Sequence, residues 1–404
     1  GALAMLRASA AQIGEPPVLA ADIADAEARL AALEIDTNEP ASARRRLNEA
    51  IGRYEALAVL EEDEPHWRAV LSDVWALAAE ADFMRNAPAE ARTAIDKSLQ
   101  VRIRLATRDP REAWGLAGAW RARAALLAAL GDMKSAADSL EQARALTLQL
   151  CAETKAQDSP MRFLVHTLLD QADHALRMKD LALARRAADE ARHHAEPMAR
   201  TEGGGDPTWM SELGACWNRL GEAAYLSGSA QTLDAYARAV EFRRLALEAR
   251  PADAQFKLAL AAALLTLGDA ALTQKQFRTA RAAFNESAAK RLELAEAAHG
   301  DAHAARDLAV ALERVGVAAQ AEGDRNGARA AWEHELELAD RIFDDPRNPE
   351  GQRFRAVVET HLSQLGGVDA GVLRAAALAR LDKLAQDGDL TERDAALRRK
   401  LWQS

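Results

Sequence analysis

The chain has 404 residues, 96 of them alanine, with 12 prolines and only 5% aromatic side chains. Alanine favours helices and is depleted in strands, which excludes a β-rich fold, and the scarcity of aromatics argues against large spherical cores. A net charge of −10 excludes a phosphate-backbone binder, which needs a basic footprint.

The opening Gly1-Ala2-Leu3-Ala4-Met5 has neither the basic nor the apolar region of a signal peptide. It reads as a tag remnant, so residues 1–15 are set apart as a leader and the chain is expected to be a region of a longer protein. From residue 16 a repeat is legible. Asn38-Glu39-Pro40-Ala41-Ser42-Ala43-Arg44, continued by Leu47, Ala50 and Ala58, falls on Asn86-Ala87-Pro88-Ala89-Glu90-Ala91-Arg92, Ile95, Ser98 and Ala106 after a shift of 48. A small landmark residue followed twelve positions later by alanine then recurs: Ala31 and Ala43, Ala79 and Ala91, Ala124 and Ala136, Ala172 and Ala184, Gly268 and Ala280, Gly316 and Ala328. Gly221 keeps the register although Leu233 replaces its alanine, and a poorly matching eighth unit is placed at Gly366. Successive landmarks lie 48, 45, 48, 49, 47 and 48 residues apart, and a larger apolar residue usually follows sixteen positions after each.

Each unit predicts two amphipathic helices joined by a tight turn such as Gly131-Asp132, Lys179-Asp180 or Gly323-Asp324. Breaker clusters such as Asp109-Pro110, Gly203-Gly204-Gly205-Asp206-Pro207 and Arg250-Pro251 separate the units. A lone hairpin cannot bury its apolar stripe, whereas stacked hairpins share one continuous core. Residues 352–404 are expected to form a degenerate last repeat and a capping helix that starts near Leu390-Thr391-Glu392-Arg393-Asp394.

Trp217-Asn218-Arg219-Leu220-Gly221 resembles the W-x-x-L-G opening of a tetratricopeptide repeat (TPR), with Trp75 and Trp120 in the equivalent slot of other units. Ala280 with Phe284, and Ala328 with Trp332, match the later part of that motif. The period exceeds the usual ~34 residues and resembles the long-period repeats of bacterial signalling proteins. The resemblance implies an all-α fold, an α-solenoid of about eight stacked hairpins in a right-handed superhelix over residues 16–404. It also implies a protein-interaction or sensor module, often fused to an effector enzyme. A stand-alone adaptor, scaffold or chaperone-like protein is the alternative. The three tryptophans are then core residues.

Chemistry-bearing motifs are sparse. Gly203-Gly204-Gly205 lacks the lysine of a phosphate loop, and His299-Gly300-Asp301-Ala302-His303 lacks the glutamate of a zinc helix. Cys151 and Cys216 have no metal-ligand spacing. His166, Asp170 and His174 share one helix face and supply a remote metal-enzyme alternative. No catalytic residue, cofactor or metal site is assigned, and Arg44-Arg45-Arg46, Arg185-Arg186 and Arg398-Arg399-Lys400 read as solvated faces. No apolar run approaches the ~18 residues of a membrane span, and a cytoplasmic location is expected.

What remains is a surface. In tetratricopeptide arrays the first helices line a concave groove, with the positions just after the landmark facing it. The resemblance therefore implies a groove through Glu80, Ala125, Asp173, Glu222, Asp269 and Val317, extended a turn either way by Asp73, Phe83, Arg121, His166, Asn218, Tyr225, Glu313 and Gln320. Its acids and aromatics suit a basic or amphipathic protein or peptide partner.

Overall fold

Among the described residues proline opens six α-helices, at the first helical position, where its missing N–H forfeits no hydrogen bond. Side-chain caps add to this, on two of the proline-opened helices and on one that starts at Ala254. The Asp206 carboxylate accepts from the Thr208 N–H, that of Asp253 from Gln255 and Phe256, and the Asn348 amide oxygen from Glu350 and Gly351. The computed structural model describes residues 2–13, 15–60, 65–153, 158–200, 205–298, 302–343 and 347–403. Among these residues there are eighteen α-helices, one 3-10 turn and no strand. The expected connections at 201–204 and 299–301 lie outside the described residues. The chain divides into two compact units, Gly1–Ala195 and Glu196–Ser404.

The first unit holds α1 (Ala2–Ile13), α2 (Pro17–Asp36), α3 (Pro40–Leu60), α4 (Pro65–Met84), α5 (Pro88–Arg108), α6 (Ala113–Ala129), α7 (Met133–Glu153), α8 (Asp158–Arg177) and α9 (Leu181–Ala199), the last crossing the division. Residues 2–13, expected as a leader, are helical and rest on α2. The second unit holds α10 (Pro207–Leu226), α11 (Thr232–Ala249), α12 (Ala254–Thr273), α13 (Phe277–Ala297), α14 (Ala302–Glu322), α15 (Arg325–Ile342), α16 (Pro349–Gln364), α17 (Ala370–Asp387) and α18 (Glu392–Gln403). Each unit is built from helical hairpins, the all-α solenoid class.

The hairpin turns share one solution. A residue in the left-handed conformation ends the first helix: Asn38, Asn86, Gly131, Lys179, Gly228, Lys275, Gly323 and Gly366. In seven of the eight, the next residue returns its N–H to a carbonyl five positions back, as in Ala87 to Asp82 and Asp324 to Ala319, both 2.9 Å. This is the Schellman closure, which satisfies carbonyls that a helix end leaves unpaired.

Within each hairpin, a small residue of the first helix admits a large one of the second. A Cβ placed on Gly221 would stand 2.7 Å from the Tyr236 ring, and one on Gly268 or Gly316 would collide with Phe284 or Trp332. Arginines one position after the landmark alanine of the second helix then reach the turn of the following hairpin. Arg44 holds the buried Asp82 at 2.9 Å, Arg92 holds Asp132 at 2.5 Å, Arg281 holds Asp324 at 2.7 Å, and Arg329 donates to the Gly366 carbonyl at 2.9 Å. The solvated-face reading of Arg44-Arg45-Arg46 is corrected accordingly: Arg44 is a clamp, and Arg46 binds Glu27 and Glu34 at 3.0 and 2.7 Å.

Two further findings bear on the sequence reading. Thr391 and Asp394 form a reciprocal capping box at 2.9 and 3.2 Å, and α18 packs Leu397 and Leu401 into the cluster of Ala356, Ala377 and Leu381. Helix α12 is long and apolar enough to cross a membrane by length and composition, with mean hydropathy 1.5, which corrects the expectation that no run approaches that length. Its Phe256, Leu260, Ala263 and Leu264 are buried with Val240 and Leu247 of α11 and Ala283 of α13.

Candidate interaction surface

The residues assigned to a groove fall on first helices of both units, and each unit is described by itself. In the first unit, Asp73 on α4 is exposed, and its carboxylate accepts from Arg102 of α5 at 2.7 Å. Glu80 is exposed, and Phe83, one turn on, is 40% exposed. Arg121 on α6 is half-buried; its Nε donates to Asp170 of α8 at 2.7 Å, and its guanidinium lies 4.9 Å over the Phe163 ring. A cavity of about 90 Å³ opens between α6 and α8 over Leu140, lined by Arg121, Ala125, Asp170, Asp173 and His174. His166 is half-buried on the same helix.

That geometry does not assemble a metal centre from His166, Asp170 and His174. Asp170 is committed to Arg121, and His174 is buried, which pushes its imidazole below the ordinary histidine range, with Arg177 adding to the effect. Among the described residues no group of three His, Cys, Asp or Glu side chains could hold a metal ion. Of the His299–His303 motif, residues 299–301 lie outside the described residues.

In the second unit, Asn218 on α10 is buried, and its amide oxygen accepts from Thr266 of α12 at 3.0 Å. This is a correction: Asn218 joins two first helices and does not present its side chain to solvent. Tyr225 is 41% exposed, with its hydroxyl 3.3 Å from that of Thr273, and Glu222 is half-buried. Asp269 on α12 takes the Arg314 Nε of α14 at 3.1 Å. Partial burial raises the Asp269 pKa, and Arg314 opposes the shift. Glu313 is half-buried, its carbonyl accepting from the Trp332 indole at 3.4 Å, and Gln320 is exposed.

Sequence reasoning missed the lateral stitching of first helices. Arg121 with Asp170, Asn218 with Thr266, Tyr225 with Thr273 and Arg314 with Asp269 each tie one hairpin to the next. The signal was present, since Asn218 and Thr266, like Tyr225 and Thr273, stand 48 residues apart. The tryptophans divide. Trp75 is buried under Lys97 at 4.1 Å, whereas Trp120 and Trp217 are half-buried, with Arg238 5.1 Å over Trp217.

Helical hairpins closed by left-handed turns, with a small landmark residue against a larger side chain of the second helix, define an all-α repeat protein with a tetratricopeptide-like fold. A scan against protein-family models and a search of curated proteins return no match. Among solved structures, BtubC (BKLC) from P. vanneervenii is similar with a TM-score of 0.50 and 19% identity, over 65% of this chain and 95% of its own. A signal transduction ATPase with numerous domains (STAND) with a tetratricopeptide repeat sensor, from Pyrococcus horikoshii, gives 0.53 and 13% over 99% of this chain. The apo form of RapI gives 0.53 and 11%, over 94% of this chain and 98% of its own. At these identities the likeness is one of fold, and the chain spans 54% of the STAND protein's length.

Proposed function

We propose that this chain is a non-catalytic interaction module with long-period tetratricopeptide repeats. It takes a basic or amphipathic segment of a partner protein on the exposed faces of its first helices. A recurring pair carries the reading. The position after the landmark holds an acid and the position three further on holds an exposed aromatic ring: Glu80 with Phe83 on α4, and Glu222 with Tyr225 on α10. Carboxylates steer cations, and partly exposed rings offer an apolar anchor to a partner. First helices that begin at Pro17, Pro65, Ala113, Asp158, Pro207, Ala254, Ala302 and Pro349 support the long repeat. The fold shared with the repeat sensor of a STAND ATPase supports a place as the sensor region of a larger bacterial signalling or defence protein.

Selection of a displayed random peptide library on the immobilised chain tests this. The peptides recovered are expected to carry net positive charge and an apolar residue. They should bind at least about tenfold more weakly once Glu80 and Glu222 become lysine and Phe83 and Tyr225 become alanine. Peptides that are acidic, or that bind the fourfold variant equally well, overturn the reading.

A further inference from the structure

Helix α1 is held to the first unit in an unusual way. None of the side chains of residues 2–12 is buried. Beyond the opening Gly1–Met5, Leu6 and Ala10 are half-buried one turn apart, the stripe of an amphipathic helix. The polar hold is Arg7, whose guanidinium bonds Glu27 of α2 and, at 2.5 Å, Glu49 of α3. Glu27 is fully buried and keeps a second partner, Arg46, at 3.0 Å, so its charge stays compensated without α1. Two carboxylates from two helices thus converge on a single arginine.

Helix α1 has 12 residues where α3 has 21, and beside it a groove of about 390 Å³ runs along α3. Gly52, Ala56 and Leu60 line the groove beside the Glu15–Arg53 ion pair at 2.6 Å, and Arg53 lies 3.8 Å from Glu49. A Cβ on Gly52 would meet nothing within 4 Å, although glycine weakens the middle of a helix. Val18, at 74% exposed, and Leu60, at 70%, stand in solvent near its ends.

We propose that the α2–α3 face is a docking site for an arginine-bearing amphipathic helix of a partner protein, and that α1 is a strap occupying its charged half and able to yield it. Charge complementarity defines the occupant: one guanidinium for Glu27 and Glu49, and beyond it an apolar side chain for the groove at Gly52. The site lies on the edge of the first unit, on other residues than the acid and aromatic pairs of the first helices. The strap competes with the partner, so the apparent affinity rises with the fraction of molecules in which α1 is released.

The probe is a fluorescein-labelled synthetic peptide with the sequence of residues 2–13, read by anisotropy against the full chain. Arg7→Glu in the chain sets α1 against Glu27 and Glu49 and is expected to tighten peptide binding at least about tenfold over wild type. Adding Glu49→Lys to that chain, or putting glutamate for arginine in the peptide, is expected to abolish binding. Hydrogen exchange should quicken at residues 2–12 in the Arg7→Glu chain and leave α2 to α7 unchanged, which separates release of the strap from loss of fold. Absence of binding to the Arg7→Glu chain, or equal binding to it and to wild type, overturns the proposal. So does a concentration-dependent dimer of the wild type that Arg7→Glu abolishes, since it assigns the face to a second copy.

Discussion

At the scale of single residues, the landmark and the side chain sixteen positions on exchange volume. Ala31, Ala79 and Ala124 go with the buried Leu47, Ile95 and Leu140, whereas Gly268 and Gly316 go with the fully buried Phe284 and Trp332. One methyl group therefore decides whether an aliphatic or an aromatic side chain fits. Gly316→Ala is expected to destabilise the fold by about 1–3 kcal/mol in urea unfolding, and Trp332→Leu added to it to recover part of the loss. A single variant as stable as wild type would show that the indole has room to move. Glu335, on the next turn of the same helix, is 3% exposed with its Oε2 unpartnered, and burial pushes its carboxyl up to about 9. The folded chain keeps that proton while the unfolded chain releases it near 4.5, so stability falls as pH rises across that window, by up to about 1.4 kcal/mol per pH unit. Burial acts oppositely on His361, whose depressed pKa costs stability as pH falls below 6.5. Glu335→Gln should flatten the alkaline limb of the denaturation midpoint against pH and leave the acidic limb in place. An unchanged alkaline limb would assign it to another group.

At the scale of elements, the hairpin turn imposes the same backbone on unequal residues. Gly131, Gly228, Gly323 and Gly366 enter the left-handed region without a Cβ penalty, and Asn38 and Asn86 tolerate it, but Lys179 and Lys275 carry a full side chain at φ 60° and 59°. Lys179→Gly and Lys275→Gly are each expected to stabilise the chain by about 0.5–1 kcal/mol, while Gly131→Ala costs a similar amount. Thermal melts of the three variants check the sign; a melting point lowered by both lysine replacements would refute the argument. These turns were legible in advance because Gly131-Asp132 and Gly323-Asp324 show the chemistry openly, and the register carries it to Lys179. The landmark pairs were legible for the same reason: each is a short-range event inside one hairpin. The clamps were not. Arg44 looks like any base on a polar helix face until the fold brings Asp82, 38 residues away, against it. Asn218 failed for a related reason. Its place in the register predicted the right helix face, but only the neighbouring helix supplies the Thr266 hydroxyl that draws it inward. In α12, alanine and leucine repeat so densely that the apolar stripe widens to nearly the whole helix, although Lys257 and Asp269 interrupt the run.

At the scale of the whole molecule, the net charge of −10 is unevenly available to a partner. Asp73 and Asp269 belong to the candidate surface by position, and Asp170 lines the cavity beside Arg121, yet each is held by an arginine: Asp73 by Arg102, Asp170 by Arg121 and Asp269 by Arg314. Such pairs contribute little to the field met by an approaching molecule, and breaking them acts on the fold first. Glu80 is exposed and in no ion pair among the described residues, and Glu222 stands at the same register position of α10. Glu80 in the first unit and Glu222 in the second are thus each placed to attract a basic segment to its own unit. Electrostatic steering raises the association rate and weakens steeply with ionic strength, whereas packing contacts set dissociation. Replacing Glu80 and Glu222 with lysine is expected to slow association of a selected basic peptide about tenfold at low salt, to remove most of its salt dependence, and to leave the unfolding midpoint where it is. Asp269→Lys should do the reverse: the midpoint falls, because Arg314 then faces a like charge, and the association rate changes little. Stopped-flow association from 20 to 300 mM salt, paired with urea unfolding of the same variants, separates the two roles. If Glu80→Lys with Glu222→Lys alters only the dissociation rate, the acids make contacts and do not steer. If Asp269→Lys slows association as strongly, the whole acidic surface acts as one field and the distinction between paired and available carboxylates fails.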